Sequence, residues 1–304
     1  METKQRIEAV IFDLDDTLFD TEKLKQLGFK VIVEMRDEEL DKLLTYNQSY
    51  VNDGGKAIQA STIKAIKDFK KEWQNSNGGS EPKFTEVFVK ELNDKMPAGS
   101  SASTEALFKK EFGQSFPYNQ VREARRLWEY KYFVVDGEIP AFKNGAEELL
   151  KYLKEKEIPI GIGTSTTLER AKILLKLTRI HDWFDVIIGS DSENVKLGKP
   201  APDTFSEGIR LIGAKASNVL VIEDGWKGSI AALRAGAIPI YVPVNGTEPT
   251  EEKMNNPEVN ATYEEKTNYN KRKYANLYEV LTAIKKDFDL CPSNKAEKGI
   301  SRIN

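Results

Sequence analysis

Five short, nearly unbroken apolar runs set the tightest limit on how this chain can fold. They are Ile7–Phe12, Ile158–Gly163, Val186–Gly189, Val219–Glu223 and Ile238–Val242. A strand with one face in water alternates apolar and polar residues, whereas a strand covered on both faces has no polar side to show. Such continuous runs, alternating with helices, are the pattern of a parallel sheet with helices on both faces. Helical periodicity accompanies the runs at Asn144–Lys156, Thr167–Leu177, Pro202–Ile212 and Gly228–Ala235, with glycine or proline at most boundaries. The expected fold class is α/β, a doubly wound parallel sheet.

The first gap breaks this rhythm. Between Phe12 and Ile158 no strand pattern is evident, and apolar residues recur at helical spacing over Glu22–Glu34, Asp37–Tyr46, Gly55–Trp73, Phe84–Lys95, Thr104–Phe112 and Asn119–Tyr132. Asn75–Pro82 and Pro97–Ser103 read as polar loops. A helical module over 21–136 is therefore expected as an insertion into a core formed by 1–20 and 137–290. Asn245–Asn270 reads as loose polar chain, Ala275–Phe288 as a further helix, and 291–304 as a disordered tail.

Composition narrows the function classes. The net charge of −3 provides no excess of cations for a nucleic acid or an anionic membrane surface. No apolar run approaches the ~20 residues of a membrane helix, and the short run after METKQRIE lacks the length and cleavage site of a signal peptide. The single cysteine, Cys291, has no partner for a disulfide. A cytoplasmic protein is expected.

In a doubly wound sheet, ligands bind at the carboxyl ends of the strands, so the polar residues there carry the functional question. The first run ends in Phe12-Asp13-Leu14-Asp15-Asp16-Thr17. Two carboxylates at one spot repel unless a cation or a proton intervenes, and a carboxylate can also act as a nucleophile. A capped acidic turn would give the same letters. After the second run, Thr164-Ser165-Thr166 offers hydroxyls and helix-start amides to an anion, or simply caps the next helix. Gly198-Lys199-Pro200-Ala201-Pro202-Asp203 holds a lysine, a point charge suited to phosphate, in a stiff frame; a solvated loop lysine is the plainer alternative. The fourth run ends in Glu223-Asp224-Gly225, which suits Mg²⁺, an ion that takes one or two carboxylates beside water and phosphate oxygens. Each motif has an ordinary explanation. Together they are the parts that phosphoryl transfer requires.

This set of motifs resembles the haloacid dehalogenase (HAD) superfamily in its large phosphatase branch. Phe184–Pro200 is most similar to the part of that branch holding pseudouridine-5′-phosphatase and β-phosphoglucomutase-like proteins. The resemblance implies a Rossmann-like core with an inserted α-helical cap. It implies Asp13 as the nucleophile that forms an aspartyl-phosphate, Asp15 as general acid/base, and Thr164, Ser165 and Lys199 as phosphate-binding residues. It further implies Mg²⁺ held by Asp13, Asp15 (through its backbone carbonyl) and Asp224, with Glu223 close by.

The implied reaction is hydrolysis of a small phosphorylated metabolite, such as a sugar or nucleoside phosphate. β-Phosphoglucomutase-like phosphomutases carry a histidine where this chain has Lys25, and the only histidine here is His181, for which a structural role is expected. A non-catalytic binding module would be signalled by loss of a first-motif aspartate, and none is lost. In the cap, Lys56 follows Asn52-Asp53-Gly54-Gly55 and is the candidate substrate contact, with a solvated lysine as the alternative. Arg122, Arg125, Arg126 and Trp128 could line the inner face of the cap, with salt-bridged surface arginines and a core tryptophan as the plainer reading.

Overall fold

The computed structural model describes residues 4–95, 101–244, 249–257 and 259–292. The chain forms two compact units, one of Met1–Asp20 with Pro140–Asn304 and the other of Thr21–Ile139.

The first unit is built on a five-stranded parallel sheet. Its strands are β2 (Ala9–Phe12), β3 (Ile160–Gly163), β4 (Val186–Ile188), β5 (Val219–Glu223) and β6 (Ile238–Tyr241), in the spatial order β4-β3-β2-β5-β6. The apolar runs thus become the expected doubly wound sheet, with one difference. The first run is two strands: β1 (Gln5–Ile7) leaves the main sheet and pairs in parallel with β7 (Phe288–Leu290). Glu8 marks the break, where its backbone N–H donates to Asn218 O and its carboxylate accepts from Lys215 N and Asn218 Nδ2.

All four residues of β2 are fully buried, and each large apolar side chain so buried contributes about 1.5–3 kcal/mol over exposure. Helices Ala146–Glu155, Leu168–Leu177, Asp203–Ile212 and Trp226–Arg234 cover the sheet's connections. Phe205, Ile209 and Ile212 pack with Ala9, Ile11, Val186, Val219 and Val221 in one core cluster.

The segment expected to be loose is partly built. Within the described residues of 245–270 lie helices Glu251–Asn255 and Tyr263–Asn268. Met254, Val259, Ala261 and Tyr269 are buried together with Trp226, Ile230 and Tyr241. The terminal helix is Leu277–Asp287, running directly into β7. The tail from 293 onward and residues 96–100 lie outside the described residues, and the loop expected over Pro97–Ser103 is already helical from Ser101.

The second unit is helical among its described residues. Its helices are Glu22–Glu34, Asp37–Leu43, Asn47–Asn52, Ala60–Ser76, Glu86–Lys95, Ser101–Phe112 and Tyr118–Tyr130, the last continuing as a π-helical turn over Lys131–Val135. The pattern expected as one helix over Gly55–Trp73 begins only at Ala60, because Gly54 adopts a left-handed φ of 99° and the chain turns there. Phe29, Phe84, Phe88, Phe108, Phe112 and Phe116 form a continuous aromatic core. Arg125 pairs with Glu129 inside this unit, its guanidinium 5.0 Å from the Phe29 ring, and Trp128 is buried.

Candidate active site

Strand order decides which motifs meet. The chain builds outward from β2 to β3 and β4, then returns to place β5 on the other side of β2. The carboxyl ends of β3, β2 and β5 are therefore neighbours at the point where the winding reverses, which is where such sheets bind ligands. The register aligns Phe12 with Ile162 on one side and with Ile222 on the other. The next residues in line are Asp13, Gly163 and Glu223.

Asp13 continues the ladder, its N–H donating to Ile222 O at 2.9 Å. The chain then turns: Asp16 N donates to Phe19 O at 2.7 Å, and Leu18 N to Leu14 O at 3.1 Å. Asp16 takes a left-handed φ of 62°, a conformation that Asp tolerates because its short polar side chain can bond locally. The turn carries Thr17 back to β5, where its hydroxyl donates to Asp224 Oδ1 at 3.0 Å and accepts from Asp224 N at 3.1 Å. This double bond between the first and fourth motifs fixes the Asp224 carboxylate.

Lys199 is the centre of the cluster. Its Nζ donates to Asp13 Oδ1 at 2.6 Å, to Glu223 Oε1 at 2.5 Å and to Gly163 O at 2.9 Å. It also stands 4.6 Å from the centroid of the Phe205 ring. The loop bearing it is tied by Asp203, which accepts from Lys196 N and Leu197 N. Thr164 is buried, its N–H on Ile188 O and its hydroxyl accepting from Thr166 N, while Ser165 beside it is exposed.

Burial pushes the Asp13 carboxyl up to about 7, with the charges of Glu223 and Asp15 adding to the effect and Lys199 opposing it. Asp224 is raised well above the usual carboxylate range by burial and then by the charges of Glu223, Asp13 and Asp16. For Lys199 burial favours the neutral amine, but the two carboxylates beside it outweigh that and hold it protonated.

Of the two raised carboxylates only Asp13 touches the lysine, which it shares with Glu223; the site is short of positive charge, and Mg²⁺ is suited to such a site. Among the described residues no three or more His, Cys, Asp or Glu side chains gather as a ready-made metal cage. Mg²⁺ needs none, since it keeps waters and substrate oxygens alongside one or two carboxylates. Asp13 and Asp224, at the ends of adjacent strands, could supply carboxylates of that kind.

Glu223, expected close by the metal, has both carboxylate oxygens on protein donors. Its Oε1 is taken by Lys199 and its Oε2 by Gly225 N at 2.8 Å. Glu223 is the anchor of the lysine.

Two residues of the site were not singled out from the sequence. Thr17 appeared only as a letter of the first motif. Arg170, from the first turn of helix Leu168–Leu177, reaches the Asp15 carboxylate, with Nη1 at 2.9 Å from both oxygens. Its position in the chain reads as an ordinary helix-surface arginine, and only the β2–β3 adjacency reveals its partner.

Lys56 belongs to the helical unit and is exposed. Its loop is tied down on both sides, by Asn47 bonding both backbone polar groups of Ile58 at 2.9 Å and by Tyr130 donating to Asp53 at 2.5 Å. His181 precedes the amino end of β4 and bonds Asp182 at 3.1 Å. It thus sits at the edge of the sheet opposite to the clustered acids. Among the described residues no helix is long and apolar enough to cross a membrane.

The chain is 36% identical over 102 residues to the bifunctional riboflavin kinase/FMN phosphatase of Arabidopsis thaliana, a match covering 33% of the chain and only 26% of that protein. It is 25% identical over 235 residues to a phosphorylated carbohydrates phosphatase of Thermotoga maritima, covering 77% of the chain and 84% of the relative. The crystal structure of a HAD hydrolase, family IA, variant 3, from Entamoeba histolytica superposes with a TM-score of 0.53 at 21% identity, over 90% of this chain and 95% of that one. That likeness is one of fold. The model of the haloacid dehalogenase-like hydrolases matches residues 7–236, from the strand that leads into Asp13 to the end of the helix that follows Asp224, and the chain belongs to that family.

Proposed function

We propose that this hydrolase is a Mg²⁺-dependent phosphatase of small phosphomonoesters such as sugar or nucleoside phosphates. The observation that carries the reading is Asp13 at the tip of the central strand, bonded to Lys199 at 2.6 Å, with a second carboxylate, Asp15, two residues on.

In this reading an oxygen of Asp13 attacks phosphorus and forms an aspartyl-phosphate. The bond from phosphorus to the ester oxygen breaks with its electron pair on that oxygen, which takes a proton from Asp15. Asp15, now a carboxylate, removes a proton from water as the water attacks phosphorus. The bond to Asp13 breaks, inorganic phosphate leaves, and both carboxyl groups return to their starting states. Lys199 holds the nucleophile and offers charge to the phosphoryl oxygens, with Thr164 and Ser165 beside it. Mg²⁺, when bound to Asp13, Asp224 and the Asp15 carbonyl, supplies the positive charge that lets a carboxylate approach a phosphate dianion. Water, rather than a second sugar hydroxyl, is the acceptor favoured for a chain with Lys25 in place of the mutase histidine.

The test is hydrolysis of 4-nitrophenyl phosphate and of small sugar phosphates. Wild-type protein should release phosphate with Mg²⁺, and activity should fall to background with EDTA or with Ca²⁺ in its place. Asp13→Asn should abolish turnover while leaving the circular dichroism spectrum unchanged. Full activity in EDTA, or near-native turnover by Asp13→Asn, would overturn the reading.

A further inference from the structure

Arg170 stands outside the roles described so far. Its Nη1 lies 2.9 Å from Asp15 Oδ1 and 2.9 Å from Asp15 Oδ2, and 3.3 Å from Thr166 Oγ1. The Arg170 and Asp15 side chains are each only 12% exposed. The arginine is placed by its own helix start, where the Thr167 hydroxyl accepts from Arg170 N at 3.4 Å. We infer that Arg170 is a positioning residue that holds the Asp15 carboxyl in register for proton transfer to the leaving oxygen. The inference rests on the phosphatase reading and names a residue that reading does not require.

The physical case has two parts. Proton transfer needs the donor within hydrogen-bond reach of the leaving oxygen, about 2.6–3.2 Å. Asp15 stands past the end of strand β2, where its backbone bridges Phe19, and a backbone bridge does not by itself set the rotamer of a side chain. A guanidinium is planar and always charged, and it loses little freedom on bonding a carboxylate. The contact is also of a particular form. One nitrogen straddles both Asp15 oxygens, which leaves lone-pair positions for the proton that Asp15 donates to the ester oxygen and later accepts from water. A purely structural salt bridge would gain more from two nitrogens, one on each oxygen.

The step affected can be isolated. When the leaving group is 4-nitrophenolate, the electron pair is delocalised and no proton is needed as the bond to phosphorus breaks. When it is an alkoxide, the proton from Asp15 must arrive with bond cleavage. The ratio kcat/KM reports the steps up to that cleavage. In Arg170→Met, kcat/KM for propyl phosphate should fall about 100-fold while that for 4-nitrophenyl phosphate stays within about threefold. Arg170→Lys, with its charge at the same place but no planar fork, should recover part of the loss on propyl phosphate.

In an Asp15→Asn background, Arg170→Met should cost nothing further on propyl phosphate, because the group it positions is gone. Equal losses on both esters, as expected if Arg170 instead binds the phosphoryl group or merely supports the fold, would overturn the inference. So would a full additional loss in the Asp15→Asn background. Those results leave the phosphatase reading standing. Hydrolysis of neither ester by wild-type protein, or turnover by Asp13→Asn, would remove that reading and this inference with it.

Discussion

Lys199 holds apart two buried carboxylates that would otherwise face each other uncompensated. Its ammonium bonds Asp13 and Glu223 at 2.6 and 2.5 Å, and all three side chains are less than 10% exposed. Removing one partner of such a group strands the others, so Lys199→Met should destabilise the protein by about 3–5 kcal/mol at neutral pH. Glu223 serves the lysine in this account, so a neutral isostere in its place should lift most of the penalty. The double variant Lys199→Met/Glu223→Gln is expected to regain stability in urea unfolding and to remain inactive. A double variant as unstable as the single one would show that the repulsion is not the cause. At this scale the sequence was legible wherever a polar residue ended an apolar run: Asp13, Thr164 and Asp224 follow strands directly, and Glu223 is the last residue of one. It was opaque for Arg170 and Thr17, whose partners lie 155 and 207 residues away in the chain. Only the strand order brings them together.

Between residue and domain stands the helix Trp226–Arg234, which starts just past Glu223 and Asp224 and packs its first turn against Glu223. The contact is possible because position 228 is glycine. A Cβ there would lie 1.8 Å from Glu223 Oε1 and 2.0 Å from its Cδ. The carboxylate cannot swing aside cheaply, since Lys199 holds one oxygen and Gly225 N the other. Gly228→Ala is therefore expected to displace Glu223 and the lysine with it, lowering kcat by about 100- to 1,000-fold, the scale of losing one charge-stabilising group. The helix itself should gain slightly from alanine, by up to about 1 kcal/mol. Near-native kcat in Gly228→Ala would show that the Glu223 anchor is dispensable. Elements with a strong period or an unbroken apolar run were readable from sequence, down to Glu22–Glu34 and Val219–Glu223 at their observed ends. The break at Glu8 was not, because a single acid in an apolar run does not announce a change of sheet. Nor was the small cluster of Met254, Val259, Ala261 and Tyr269. Its apolar residues lie among polar ones at no regular interval and become a core only against Trp226 and Tyr241.

At the scale of the whole molecule, the acids, Lys199, Thr17 and Arg170 all belong to the unit of Met1–Asp20 and Pro140–Asn304, and none to Thr21–Ile139. A two-unit chain need not unfold in one step, and a ligand stabilises the part that binds it by mass action, about 2.7 kcal/mol at a hundredfold excess over Kd. Mg²⁺ should thus raise the unfolding temperature of the sheet unit, with the helical unit following only so far as the two unfold together. The pH dependence has a definite sign. Asp13 is pushed up to about 7 by burial, and Asp224 is raised for the same first reason. In the metal-free protein the native state keeps protons that the unfolded chain has lost above about pH 4, so stability falls as pH rises from there toward 7. Mg²⁺ binds the deprotonated carboxylates and must expel those protons, so its affinity climbs over the same range. The gap in unfolding temperature between Mg²⁺ and EDTA samples should therefore be wider at pH 8 than at pH 6. In Asp224→Asn, which keeps the Thr17 hydroxyl bonded but removes a charge, the gap should shrink at both. Differential scanning calorimetry at the two pH values makes the comparison without any substrate. A gap that is absent, or equal at pH 6 and pH 8, would mean that Mg²⁺ does not bind where burial has raised these two acids.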